Sequence, residues 1–217
     1  MAFGRKKSPR AGKRNELAKL DATPPWEARE RQEPAATTGP FDVRDAPVDE
    51  VPRADLGALR IPVATGLELQ VEVNEEDQQI IAASLVSPVG SMQLMLFAAP
   101  RNEGIWDEVR AEMAEQLTEQ RNKPVEGAGP FGPELSASLS DGARGRMPVR
   151  FLGIDGPRWL LRATLVGAAA DPGHAEVFEQ ALRQVVVVRG DAPLPVREPV
   201  PIVLPKDVET PDEPADG

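Results

Sequence analysis

Residues 67–96 read LELQVEVNEEDQQIIAASLVSPVGSMQLML, and their pattern decides the fold. Leu67, Leu69, Val71 and Val73 alternate with Glu68, Gln70 and Glu72, the two-residue period of a half-buried strand. The polar run Asn74 to Asp77 is a turn, and Ile80 to Val86 is nearly continuous apolar, as an inner strand requires. Ser87-Pro88-Val89-Gly90 turns the chain again into Met92, Leu94 and Leu96, which alternate with Gln93 and Met95. Connections this short join antiparallel neighbours, so the stretch predicts a three-stranded meander.

Beyond it, Ile105, Trp106, Val109, Met113 and Leu117 form one stripe at helical spacing, with Asn102 as the expected cap. Asp107 and Glu108 complement the positive end of that helix, and Arg121 and Lys123 the negative end. Pro124 and the glycine-proline cluster from Gly127 to Pro133 stop it, and Leu135, Ala137 and Leu139 then alternate with serines as a strand. After an Asp141-Gly142 turn, strands Met147 to Ile154 and Arg158 to Val166 are joined by Asp155-Gly156-Pro157, where Gly156 is expected to supply a positive φ. Trp159, Leu161, Ala163 and Leu165 share one face. Asp171-Pro172 opens a second helix through Val177, Phe178, Ala181 and Leu182, and Val185 to Val188 is a last strand. The order β-β-β-α-β-β-β-α-β predicts an α+β domain over residues 56–190, an antiparallel sheet of about six to seven strands covered by two helices.

The ends differ in composition. Residues 1–55 read as a disordered arm, basic at first and then rich in Pro and Glu, which cannot bury enough apolar surface to offset its ordering entropy. Two aromatic islands interrupt it, Pro25-Trp26-Glu27 and Gly39-Pro40-Phe41-Asp42, and tethering at high effective concentration favours their docking on the parent domain. In residues 191–217 the prolines at 193, 195, 199, 201 and 205 favour an extended chain. Ile202, Val203 and Leu204 suggest that it straps across the domain before an acidic tail.

Cysteine is absent, which excludes disulfides, thiolate nucleophiles and cysteine metal sites. The chain carries a net charge of −10, but Met1 to Arg14 holds six basic residues and no acid, so the remainder is six charges more negative still. An acidic body repels polyanions and a basic arm attracts them, so any weak, salt-sensitive contact with nucleic acid or anionic lipid belongs to Arg5, Lys6, Lys7, Arg10, Lys13 and Arg14. No apolar run follows Arg5-Lys6-Lys7 as a signal peptide needs, and none approaches the ~18 residues of a membrane span, so a cytoplasmic protein that is not transmembrane is expected.

The motifs of known chemistry fail on context. Gly127, Gly129 and Gly132 fit G-x-G-x-x-G but follow a helix and precede a strand, the reverse of a dinucleotide site. His174, the sole histidine, sits at the expected start of the second helix, where the dipole opposes imidazolium. Asp107, Glu108 and Asp155 are explained as helix-start and turn residues, and Arg189-Gly190-Asp191 as the exit from the last strand. No catalytic residue, metal or cofactor is expected. What remains is a recognition surface for a protein partner: Arg101, Glu103 and Trp106 at the first helix, Phe131 in its following loop, and Arg150, Asp155, Arg158 and Trp159 about the tight turn, converging at one sheet end. The rival reading is a pocket between sheet and helix that binds or hydrolyses a small molecule with Asp155, Arg150 and Arg158.

Phe97-Ala98-Ala99-Pro100-Arg101, Glu103 to Arg110 (EGIWDEVR), Gly129 to Leu135 (GPFGPEL), Gly153 to Trp159 (GIDGPRW) and Val186 to Asp191 (VVVRGD) form a set of motifs. Through them the sequence resembles an actinobacterial family, domain-of-unknown-function family 3710, from about Phe41 to Leu204, and the Phe3-Gly4-Arg5-Lys6-Lys7 start is similar to it as well. That resemblance implies no activity, cofactor or catalytic residue. The strand-helix order resembles the PsbP-like α/β sandwich, by topology rather than by motif, which implies a binding platform.

Overall fold

A computed structural model describes residues 38–73, 80–140 and 145–203. Three short strands come first, β1 (Phe41–Asp42), β2 (Arg53–Asp55) and β3 (Leu59–Pro62). They are followed by β4 (Glu68–Val73), β5 (Ile80–Ser87), β6 (Gly90–Ala98), helix α1 (Trp106–Glu119), β7 (Val125–Gly129), β8 (Gly132–Ser140), β9 (Arg146–Gly156) and β10 (Trp159–Gly167). A 3-10 turn at Ala168–Ala170, helix α2 (Glu176–Leu182) and β11 (Val186–Val187) complete the described set. The protein is α+β. Its main sheet has seven antiparallel strands in the order β4-β5-β6-β10-β9-β8-β7, and a second sheet runs β1-β11-β3-β2.

Alternation along the strands sorts the main sheet into two faces. Leu85 of β5, Met92, Leu94 and Leu96 of β6, Leu152 of β9, and Trp159, Leu161, Ala163 and Leu165 of β10 join one core with Phe178, Ala181 and Leu182 of α2 and Leu59, Ile61 and Val187 of the second sheet. The opposite face holds Leu135, Val149, Phe151 and Leu160, packed against Ile105, Trp106 and Leu117 of the α1 region. One helix thus covers each face, α2 together with the second sheet.

The face toward α1 is not uniform, and the pairing registers show where it changes. One row across the sheet reads Gln70, Ser84, Gln93, Thr164, Phe151, Leu135, polar through β4, β5, β6 and β10 and apolar through β9 and β8. A helix buries its apolar stripe where the sheet offers apolar partners. Accordingly α1 packs on β8, β9 and β10 together with Phe97 of β6, and the rest of that face over β4, β5 and β6 carries Glu68, Gln70, Glu72, Ser84 and Gln93 alongside Ala82, Val86 and Met95.

Four expectations are corrected. Structure begins well before residue 56: Phe41 and Asp42 pair with Val186 and Val187, and Arg53 to Asp55 pair with Pro62 to Arg60. These strands are too short for a periodic signal, and their partners lie far away in sequence. The Val185 to Val188 strand accordingly joins the second sheet, and its place in the main sheet is taken by Val125–Gly129, whose glycines resembled a loop. Gly129 has a packing reason, since a Cβ there would collide with the Glu134 carboxylate lying beside it. Neither helix uses its expected cap: α1 starts at Trp106 with no side-chain cap of its own, and Asp171 instead accepts from Gly173 N–H at 2.9 Å in a turn that ends before α2. In the β9–β10 turn the positive φ, 68°, falls on Arg158, because Pro157 holds the preceding φ negative and the Trp159 indole covers Gly156.

The expected strap is visible. Pairing between β5 and β6 stops at Ala83 and Leu94, and the chain after Arg197 fills the gap beyond it. Val200 donates to the Leu96 carbonyl at 2.8 Å, Glu198 accepts from Ala98 at 2.8 Å, and Ile202 bridges Ile80. Ile202 is buried and Val203 exposed, while Leu204 lies outside the described residues.

Candidate functional site

The residues singled out from sequence share one end of the main sheet in part, but most are occupied in holding the fold. Trp106 and Trp159 are 3 % and 2 % exposed and lie on opposite faces, so they make no common surface. Trp106 donates its indole N–H to the Pro133 carbonyl at 2.7 Å and stacks over Gly153, where any Cβ would strike the ring. Trp159 donates to Asp42 at 2.9 Å and so locks β1 onto the main sheet. Asp42 also receives Arg44 at 2.8 Å; burial raises its pKa, but the hydrogen bonds from Arg44 and Trp159 outweigh that and hold it below the usual carboxylate range.

Asp155 is equally engaged. Its two oxygens accept from the backbone N–H groups of Ile105 at 2.9 Å and Trp106 at 3.2 Å, satisfying the first turn of α1 from another element. Phe131 caps the β7–β8 turn under the Arg183 guanidinium, 4.7 Å from the ring centroid. Arg101 and Glu103 are exposed at the α1 approach, and Arg158 reaches Asp191 at 3.5 Å from the neighbouring turn.

Arg150 is 1 % exposed and sits between the carboxylates of Glu134 on β8, 3.5 Å away, and Glu179 on α2. Burial pushes the Glu134 pKa up, Arg150 opposes this, and the like charge of Glu179 adds to it. This buried triad joins α2 to the sheet. Arg150, Asp155 and Arg158 therefore line no shared pocket: one is enclosed, one caps a helix and one lies on a turn.

Sequence reasoning missed Arg162, a single charged residue inside the apolar strand β10. The β10 alternation aims it at the α1 side of the sheet, half-buried, opposite Met95. Its Nη2 contacts the Met95 sulfur at 2.8 Å and its guanidinium lies 5.1 Å from the Phe97 ring centroid. Its Nε is buried with no hydrogen-bond partner, and no carboxylate among the described residues pairs with it. Burial lowers its pKa, though a guanidinium stays charged. Beside it is a cavity of about 160 Å³ lined by Phe97, Ile105, Val109, Glu112, Leu160, Arg162 and Arg197. Arg197 of the strap closes the rim by binding Glu112 through both oxygens at 2.9 Å and Glu108 at 2.9 Å. On the β4, β5, β6 part of the same face, Glu72 accepts from Gln93 at 2.8 Å and from Ser84 at 3.3 Å.

A larger depression of about 440 Å³ lies over Gly173, His174, Glu176, Val177 and Gln180, but it is open to solvent, and His174 only approaches Asp171 at 3.8 Å. Among the described residues no group of three acidic or histidine side chains is arranged to hold a metal, and no helix is long and apolar enough to cross a membrane. The basic cluster Arg5 to Arg14, and Trp26, lie outside the described residues.

Residues 39–211 match the family described as "Protein of unknown function (DUF3710)", a span that opens two residues before β1 and runs past the strap. No curated protein matches the sequence. Among solved structures, the solution structure of cyanobacterial PsbP (CyanoP) from Synechocystis sp. PCC 6803 is similar over 64% of this chain and 92% of that one, at 7% identity and a TM-score of 0.37.

Proposed function

The chain belongs to the DUF3710 family, and we propose that it is a non-enzymatic interaction protein of the cytoplasm, which engages a protein partner through the β4, β5, β6 half of its main sheet beside α1, a half that no helix among the described residues covers. The observation that carries this reading is the polar-to-apolar change across one sheet face. Helix α1 packs where this row becomes apolar, leaving Gln70, Gln93 and Thr164, with the buried Ser84 between them, as a rigid platform edged by a helix and by an arginine that has no carboxylate partner among the described residues. The strand and helix supports of such a platform are fixed before binding, so little ordering entropy opposes association.

The hydrolase alternative needed Asp155, Arg150 and Arg158 in one pocket, and each is engaged elsewhere. The basic arm supports a second contact of a different kind, with six cations in fourteen residues available for a salt-sensitive polyanion interaction. It predicts that removing residues 1–20 abolishes retention on heparin at low salt.

The test of the platform is site-specific photo-crosslinking in cells, with the reactive side chain at Gln93 on β6 or at Gln180 on α2. One protein adduct formed from Gln93 and absent from Gln180 is the expected result. Adducts from Gln180 alone, or none from Gln93, would reject the platform.

A further inference from the structure

The described arginines divide by what neutralises them. Arg150 has Glu134 and Glu179, Arg197 has Glu108 and Glu112, Arg53 has Asp49, and Arg110 has Asp107. Arg162 has a thioether and an aromatic face, both weak partners for a guanidinium, and a buried Nε that donates to nothing among the described residues. Arg189, also buried without a carboxylate, differs in lining neither cavity and in donating to the Ala192 carbonyl at 3.1 Å within its own loop. A half-buried cation facing an apolar cavity is complementary to an anion whose remainder is apolar. A guanidinium matches a carboxylate in particular, through two parallel N–H donors.

We propose that the cavity between α1, β6 and β10 binds a carboxylate carried on a short apolar group, with Arg162 taking the carboxylate and Phe97, Ile105, Val109 and Leu160 enclosing the apolar part. The volume of about 160 Å³ suits one ring or one branched aliphatic side chain. Glu112 does not neutralise Arg162, because Arg197 holds both of its oxygens at the rim. This proposal rests on the platform reading insofar as the carboxylate is the terminal one of a partner chain; the same chemistry is offered by a free small organic acid.

Purified full-length protein is titrated with benzoate, with benzamide, and with a short peptide ending in leucine as either free acid or amide. The Arg162 guanidinium and the Ile105 and Val109 methyl groups are followed by NMR. Benzoate and the free-acid peptide are expected to shift these signals, with the neutral analogues at least tenfold weaker. A tighter peptide identifies a chain terminus as the source, and a tighter benzoate identifies a small acid. Arg162→Met is expected to remove the preference for acid over amide, and Arg162→Lys to keep the preference at reduced affinity, which guards against a Met variant that fails to fold. Equal response to acid and amide, an unchanged preference in Arg162→Met, or no shift at all would overturn the proposal. A Gln93 adduct that forms although no carboxylate binds would overturn only the cavity, whereas carboxylate binding without any adduct would overturn only the platform.

Discussion

Asp155, the last but one residue of β9, accepts a hydrogen bond at 2.9 Å from the backbone N–H of Ile105, fifty residues earlier in the chain. The helix that forms the wall of the cavity is thereby capped by the sheet on which it lies, and its start is fixed relative to β9 and β10. Asp155→Ala leaves two buried N–H groups unsatisfied and should cost about 1–2 kcal/mol, the usual scale for a lost cap. Urea unfolding measures the loss, and faster amide exchange confined to Ile105 and Trp106 locates it.

The Glu134–Arg150–Glu179 triad should respond unequally to its parts. Arg150→Met strands two carboxylates against the core and should cost on the order of 3–5 kcal/mol. Glu134 behaves oppositely. Its folded pKa is raised by burial, so the folded state holds the proton more tightly than the unfolded chain, and stability falls as pH rises from the ordinary glutamate range through the raised value. Glu134→Gln should remove that part of the pH profile and leave stability at neutral pH unchanged or higher, as thermal unfolding across pH will show.

Asp42 supplies the reverse sign. Its folded pKa is depressed, so its contribution is complete above the ordinary aspartate value and is lost as pH falls through the lower folded one. Asp42→Asn should cost about 1.5–3 kcal/mol at neutral pH through its bonds to Arg44 and Trp159. The wild-type and variant stability curves should converge in acid, below the range where free aspartate titrates.

Gly153 is required by contact rather than by conformation, because the Trp106 indole lies on its Cα. Gly153→Ala should push the ring away and cost about 1–3 kcal/mol through overpacking. A red shift in tryptophan emission would report the displaced ring.

The main sheet was legible because alternation in β4, β6, β8 and β10 is driven by burial on one or both faces, and that pattern is local. The second sheet was not, since Phe41–Asp42 and Val186–Val187 are two-residue strands paired across most of the chain. The caps illustrate the same limit: Asn102 and Asp171 have the right chemistry locally, yet α1 takes its cap from Asp155. Candidate residues chosen by type, tryptophan and arginine, led chiefly to structural contacts. Arg162 escaped notice because one polar residue in an alternating strand reads as solvent-facing, and only the register opposite Met95 and the packing of α1 show that it borders a cavity. The polar row Gln70, Ser84, Gln93, Thr164 was present in the sequence, but its meaning depends on which strands are neighbours.

The platform itself is tested most directly by charge placed on it. With the partner identified from the Gln93 adduct, its co-purification with the wild-type chain is compared by quantitative mass spectrometry with that of Gln93→Arg and of Gln180→Arg, all three folded to the same melting temperature within a few degrees. Gln93→Arg is expected to lose the partner and Gln180→Arg to retain it. Retention by Gln93→Arg together with loss by Gln180→Arg would contradict the platform reading and move the binding surface to α2.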